Sequence, residues 1–243
     1  MDIPMNPSAK LGVRKLCTIL ARGGSKGVPN KNTRILAGLP LIAHTIRQAQ
    51  DSKIFDAIAV SSDSEEILNV AKEYQVTYLI QRPAELASDT APKLPAIQHC
   101  VVMAEAKQGS PFDIICDLDP TSPFRKIEDI VQCLRLIERP EVSNVITGAP
   151  SRKSPYFNLV ETDVEGFAKL SKTLPNPIAR RQDSPKCYDM NASIYVWRRD
   201  TLLGSQSVFQ EKTFLYPMAP ESSIEIDTEM DFKIAQFFSE KLK

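Results

Sequence analysis

Apolar residues fall in short runs along the chain, separated by stretches with helical spacing or turn residues. Residues 16–20 form an apolar run that ends in a glycine-bearing stretch, 21–27, which predicts a buried strand entering a loop. Leu41, Ile42, Thr45, Ile46 and Ala49 then recur at helical spacing. A second strand is predicted over 54–61. Asp63 with Glu66 three positions on predicts a capping-box start to a helix carrying Ile67, Leu68, Ala71 and Tyr74. Residues 76–80 read as a third strand.

The alternation continues with a helix over 93–107, a strand over 112–118, a helix over 127–137 and a strand over 143–148. That order predicts an α/β fold with a doubly wound, mostly parallel sheet, a Rossmann-like nucleotidyltransferase architecture with ligands beyond the carboxyl ends of the strands. Prolines at 150, 155, 175, 177 and 185 then break the rhythm. The segment 150–187 is therefore expected to be a small protruding arm, with extended pieces at 156–161 and 167–170. Residues 191–198 and 214–218 read as strands, and 228–241 as a closing helix with an acidic first turn. The predicted catalytic domain spans 15–149 and 188–243.

Composition narrows the partners. The 243 residues hold 30 Lys plus Arg against 30 Asp plus Glu, so no global field attracts nucleic acid or an anionic membrane, and neither is expected as a partner. Any anionic ligand must be held by a local cluster. The cysteines Cys17, Cys100, Cys116, Cys133 and Cys187 contain no CxxC and no zinc spacing, which fits a reducing compartment. Residues 1–10 are polar, and the apolar run after them is too short for a signal peptide or a membrane span, so a cytoplasmic location is expected. His44 and His99 lie on predicted helices, where packing or exposure is the simpler reading.

The densest chemistry follows the first strand: Leu20-Ala21-Arg22-Gly23-Gly24-Ser25-Lys26-Gly27-Val28-Pro29-Asn30-Lys31-Asn32. Glycines permit positive φ and close backbone approach to a ligand, and successive N–H groups can cradle an anion. Arg22, Lys26 and Lys31 add full charges. A triphosphate and a departing pyrophosphate need both features. The spacing is neither a Walker loop nor the dinucleotide fingerprint. A solvated surface loop is the alternative; the position directly after a buried strand favours a ligand site.

Glu225 and Asp227 stand two apart in a segment, 223–226, read as extended, which puts both carboxylates on one face. Such a pair, completed by water and phosphate oxygens, suffices for Mg2+, with Mn2+ as a substitute. The alternative is that Asp227 merely begins the last helix.

The spacing L-A-R-x-x-S-K-G-x-x-x-K-N resembles the opening motif of the CMP-N-acylneuraminate cytidylyltransferase family. Arg82 to Thr90, Pro120-Thr121-Ser122-Pro123 with Arg125, Arg181-Gln182, Asn191-Ala192-Ser193-Ile194-Tyr195 and Ile226 to Asp231 resemble further family segments in the family's order. Asp117-Leu118-Asp119, 154–159 and 185–191 resemble the bacterial branch that activates N,N'-diacetyllegionaminic acid. Within the family, glutamine is usual where Asp119 stands, which points away from sialic acid itself.

The resemblance implies transfer of CMP from CTP to the anomeric hydroxyl of a nonulosonic acid, with release of pyrophosphate. It implies that Arg22, Gly23, Gly24, Ser25, Lys26, Asn32, Arg82, Ser88 and Asp89 bind the nucleotide and that Asp119, Arg181 and Asn191 bind the sugar. Arg22, Lys31 and Asp227 are the candidate catalytic residues, and Glu225 and Asp227 the candidate metal ligands. It also implies a homodimer in which the arm completes the partner's sugar site. Two rivals remain: a cytidylyltransferase for sialic acid or an eight-carbon sugar acid, and a nucleotide-binding regulator without turnover.

Overall fold

The computed structural model describes residues 12–176 and 180–241; the side chain of Arg181 and the polar stretch 1–10 lie outside the described residues. In chain order the elements are β1 (Lys15–Leu20), the short pair β2 (Ile35–Leu36) and β3 (Leu39–Pro40), α1 (Leu41–Ser52), β4 (Ala57–Ser62) and α2 (Glu65–Glu73). Next come β5 (Tyr78–Gln81), α3 (Lys93–Gln108), β6 (Ile114–Leu118), α4 (Ile127–Ile137) and β7 (Asn144–Pro150). The chain closes with β8 (Val160–Thr162), β9 (Ala168–Leu170), β10 (Tyr188–Arg198), α5 (Arg199–Leu203), β11 (Thr213–Pro217) and α6 (Glu229–Lys241).

Seven strands make one sheet in the order β5-β4-β1-β6-β10-β7-β11. Alternate residues of β1 point to opposite faces and into different cores. Cys17 and Ile19 enter the layer built with Ile42 and Ile46 of α1, Ile67 of α2 and Ile130 of α4. Leu16 and Leu20 enter the layer built with Leu94 and Ile97 of α3 and Leu202 of α5. Burial on both faces explains why β1 and β6 read as continuous apolar runs.

One strand departs from the expected direction. β10 runs antiparallel to both β6 and β7, and the other neighbouring pairs in the sheet are parallel. The register between β10 and β7 shifts between Asn191 and Tyr195, a bulge that bends the strand locally. Alternation of strands and helices cannot reveal this reversal, because an irregular segment, not a helix, precedes β10.

The helix after β4 starts differently from the sequence expectation. Ser64 is its cap, accepting from the Ile67 amide, and the Asp63 carboxylate instead accepts from the Gly23 amide at 2.9 Å. The segment 150–187 contains the hairpin of β8 and β9, antiparallel and exposed along its whole length, with Gly166 in the left-handed region at its turn. A third apolar cluster matters most for the site. Val28 of the basic loop and Ile226 of the acidic segment pack together with Leu36, Leu41 and Phe232.

Candidate active site

The loop after β1 is held by glycines, for a reason the sequence did not reveal. None of Gly23, Gly24 and Gly27 has positive φ; in this loop only Asn30 does, at 52°. Close approach is the actual constraint. A Cβ on Gly27 would lie 2.0 Å from the Asp227 carbonyl oxygen, and one on Gly23 would lie 2.9 Å from the Ser64 Cβ. Gly24 meets nothing. The Gly23 amide is also taken by Asp63, so it does not face the cleft as an open donor.

Arg22, Ser25, Lys31 and Asn32 from this loop, Arg82, Ser88 and Asp89 from the segment after β5, and Asp119 and Thr121 from the loop after β6 line one cleft of about 290 Å³. The cleft lies beyond the carboxyl ends of β1, β5 and β6. The chain leaves β1 toward β4 on one side and later returns to place β6 on the other, so this is the topological switch point.

Arg82 is buried, and donates to the Ser61 hydroxyl at 3.2 Å and carbonyl at 2.6 Å; burial lowers its pKa. Asn32 is buried and donates to the Arg22 carbonyl at 3.0 Å, while its Oδ1 has no partner among the described residues. Asp89 bridges two loop cations. Arg22 Nη1 lies 2.8 Å from its Oδ1 and Lys26 Nζ pairs with its Oδ2, and these contacts hold its carboxyl below the usual range. Lys26 is otherwise exposed and does not line the cleft.

The acidic segment is not a sheet strand. It follows a 3-10 turn, Pro220–Ser223, and is fastened by Ile226 N donating to the Thr121 carbonyl at 3.0 Å. Glu225 is half-buried and one carboxylate oxygen accepts from Ala192 N at 3.0 Å; burial raises its pKa, and the nearby charges of Asp119 and Asp227 add to the rise. Asp227 keeps 71% of its side chain exposed and lies 3.1 Å from Lys31 Nζ. It is not the helix cap. Thr228 and Asp231 cap α6 through reciprocal bonds of 2.8 and 3.2 Å. Neither Glu225 nor Asp227 lines the cleft itself; Asp227 is joined to it through Lys31, which does.

Asn191, expected at the sugar, is buried instead. Its Oδ1 accepts from Thr147 Oγ1 at 2.5 Å and its Nδ2 donates to Ser223 Oγ at 2.9 Å, so its amide ties the β10 bulge to the sheet and to the acidic segment. Arg181's side chain lies outside the described residues. The sequence reading overlooked Lys93, which lines the cleft and lies 2.9 Å from Asp117 Oδ2 and 2.8 Å from Asp119 Oδ2. A signal existed: two aspartates two apart at a strand end share a face and need a cation. Cys17, Cys116 and Cys133 are buried, and burial pushes their thiols up, as inert core residues require. Among the described residues no helix is long and apolar enough to cross a membrane.

Compared with known proteins, the chain matches the family model described as Cytidylyltransferase over residues 16–237. The chain belongs to the cytidylyltransferase family. It is 44% identical over 222 residues to "Post-translational flagellin modification protein B" of Campylobacter coli, covering 91% of this chain and 93% of that protein. The same identity and coverage hold for "CMP-N,N'-diacetyllegionaminic acid synthase" of Campylobacter jejuni. An "N-acylneuraminate cytidylyltransferase" of Streptococcus agalactiae is 32% identical over 90% of this chain and 52% of its own length. Among solved structures, a CMP:2-keto-3-deoxy-manno-octonic acid synthetase complexed with CTP aligns at TM-score 0.67 and 16% identity, covering 95% of this chain and 100% of that one. A 4-diphosphocytidyl-2C-methyl-D-erythritol synthase of Anaerococcus prevotii aligns at 0.63 and 13%, covering 93% and 96%. At these identities the structures speak for the fold, which this cytidylyltransferase shares.

Proposed function

We propose that this cytidylyltransferase transfers CMP from CTP to the anomeric hydroxyl of N,N'-diacetyllegionaminic acid and releases pyrophosphate. The observation that carries the reading is the 44% identity, over nearly the whole of both chains, to a synthase named for that product. The basic cleft supports it. Arg22 and Lys31 face a common space, so their charges bear on the α-phosphorus as negative charge develops and on the pyrophosphate as it leaves. The unpartnered Oδ1 of Asn32 suits a ribose hydroxyl, and buried Arg82 with Ser88 suits the nucleoside end.

Glu225 and Asp227 are the residues that would hold Mg2+ or Mn2+. Asp227 is close enough to push the Glu225 carboxyl up and keeps 71% of its side chain exposed, which suits an ion that takes one or two protein carboxylates and fills its shell with water and phosphate oxygens. When bound, such an ion neutralises charge on the phosphate oxygens. The exposed hairpin side chains Val160, Val164 and Phe167 supply an apolar surface for a second copy, so the proposed assembly is a homodimer with arm residues at the partner's sugar site.

The test is an assay with CTP, Mg2+ and a panel of acidic sugars, reading pyrophosphate and the sugar nucleotide together. The proposal expects the highest kcat/KM with N,N'-diacetyllegionaminic acid. Preference for sialic acid or an eight-carbon acid would overturn the acceptor assignment, and silence with every sugar would favour a regulator.

A further inference from the structure

Lys93 is the first residue of α3, following Pro92. A cation in the first turn sits at the unfavourable end of the helix dipole, and no acidic residue in that turn offsets it. Its partners come from the sheet instead. The ammonium touches Asp117 Oδ2 and Asp119 Oδ2 at 2.9 and 2.8 Å, and the Tyr195 ring centroid is 5.0 Å away. Asp117 is fully buried, with Oδ1 accepting from Thr18 Oγ1 at 2.8 Å. Asp119 uses its other oxygen to accept from Thr121 N at 2.9 Å and Thr121 Oγ1 at 2.8 Å.

From there the bonds lead directly to the acidic segment. Thr121's carbonyl accepts from Ile226 N at 3.0 Å, and Ile226's carbonyl accepts from Lys31 Nζ at 2.7 Å. We propose that Lys93 is a positioning residue of CMP transfer, fixing Asp119 and through it the loop that seats residues 225–227 beside the cleft. The inference rests on the cytidylyltransferase activity but not on which sugar is the acceptor.

The physical reason is the cost of two adjacent carboxylates in a poorly solvated wall. Without a cation the two charges repel, and Asp119, the less buried of the pair, is the one that swings toward water and gives up Thr121. The other charged and titratable groups facing this wall are Arg125, which donates to the Asp119 carbonyl, Arg82, Glu225, Tyr195 and the buried thiols Cys17, Cys100 and Cys116, whose pKa values burial pushes up. Burial alone would raise the Asp119 carboxyl; Lys93 and Thr121 outweigh it and bring it down to about 2. Burial pulls the Lys93 ammonium down, and Asp117 and Asp119 more than restore it.

The experiment compares wild type, Lys93→Met, Lys93→Arg and the double variant Lys93→Met with Asp117→Asn, using the sugar acid that wild type consumes. Readouts are kcat, KM, the CTP dissociation constant by calorimetry, and melting temperature at about pH 5 and about pH 7.5. Expected for Lys93→Met is a kcat loss of roughly 10- to 100-fold, with CTP affinity changed less than about threefold. Lys93→Arg should recover most of the kcat. Lys93→Met should also melt higher at the lower pH. Its unpaired carboxyls then have folded pKa values above their unfolded ones, so their contribution is present at low pH and lost as pH rises. Wild type has the opposite sign at Asp119, whose contribution is present above the unfolded pKa and lost as pH falls through about 2.

Should Lys93→Met fail to fold, the double variant, with one buried charge fewer, carries the kinetic comparison: Asp119 still lacks the ammonium that donates to it, so kcat stays below wild type. Unchanged kcat with active wild type, or weakened CTP binding with kcat preserved, would overturn the proposal and leave the activity itself standing. A wild type inactive with every sugar acid counts against the acceptor assignment; the melting trend across pH then decides whether Lys93 holds the carboxylates.

Discussion

Lys31 Nζ lies 3.1 Å from Asp227 Oδ1 and 2.7 Å from the carbonyl of the preceding Ile226, so the basic loop and the acidic segment, almost two hundred residues apart in the chain, meet at one ammonium. The lysine is nearly buried and the aspartate mostly exposed. The pair thus anchors the loop from inside while the Asp227 carboxylate stays open to water, as its proposed role as a cation ligand requires.

Replacing Asp227 by Ala should therefore separate chemistry from folding. The pair is open to water on the aspartate side, so its loss should cost about 1 kcal/mol of stability, whereas loss of a charge-stabilising group lowers kcat by about a hundredfold or more. Pyrophosphate release and a thermal melt on the same sample check this, and turnover near wild type would remove Asp227 from the proposed site.

Gly27 and Gly24 make a contrasting pair. Gly27→Ala drives a methyl against the Asp227 carbonyl, and the shift should cost about 1–3 kcal/mol and much of the activity. Gly24→Ala has open space and should be close to neutral in stability. Denaturant unfolding and kcat of the two variants test whether loop and segment are docked as described.

Asp89 holds Arg22, which lines the cleft, and Lys26, which does not. Asp89→Asn frees Arg22 and should lower the KM for CTP by roughly threefold, the modest effect of an exposed pair. A raised KM would instead return Asp89 to the nucleotide contact implied by the family resemblance.

The arm predicts association. Val164 and Phe167 are exposed in the single chain, and sedimentation at micromolar concentration should give a dimer that Val164→Asp with Phe167→Asp converts to monomer with reduced turnover. A wild-type monomer with full activity would reject a shared site.

Much of this architecture was legible because a doubly wound sheet announces itself through buried runs such as 16–20 and 114–118 alternating with amphipathic helices. The helix beginning at Lys93 and the one spanning Ile127–Ile137 fall where spacing predicts them. The reversed β10 was not legible, since direction depends on which strands flank it and not on its own pattern. Nor was the reason for Gly27, because the atom it must avoid belongs to residue 227. Lys93 escaped for the same reason: its role comes from two aspartates on another element, and a helix-start lysine looks like a solvated one until the sheet brings them together.

The convergence of both charged segments on one triphosphate is tested most directly by a crystal structure with CTP and Mn2+, using the manganese anomalous signal. The account predicts a peak at the Asp227 carboxylate, bridged to phosphate oxygens that also contact Arg22 or Lys31. A peak and triphosphate bound away from Asp227, or a nucleotide outside the cleft lined by Asn32 and Arg82, would contradict it.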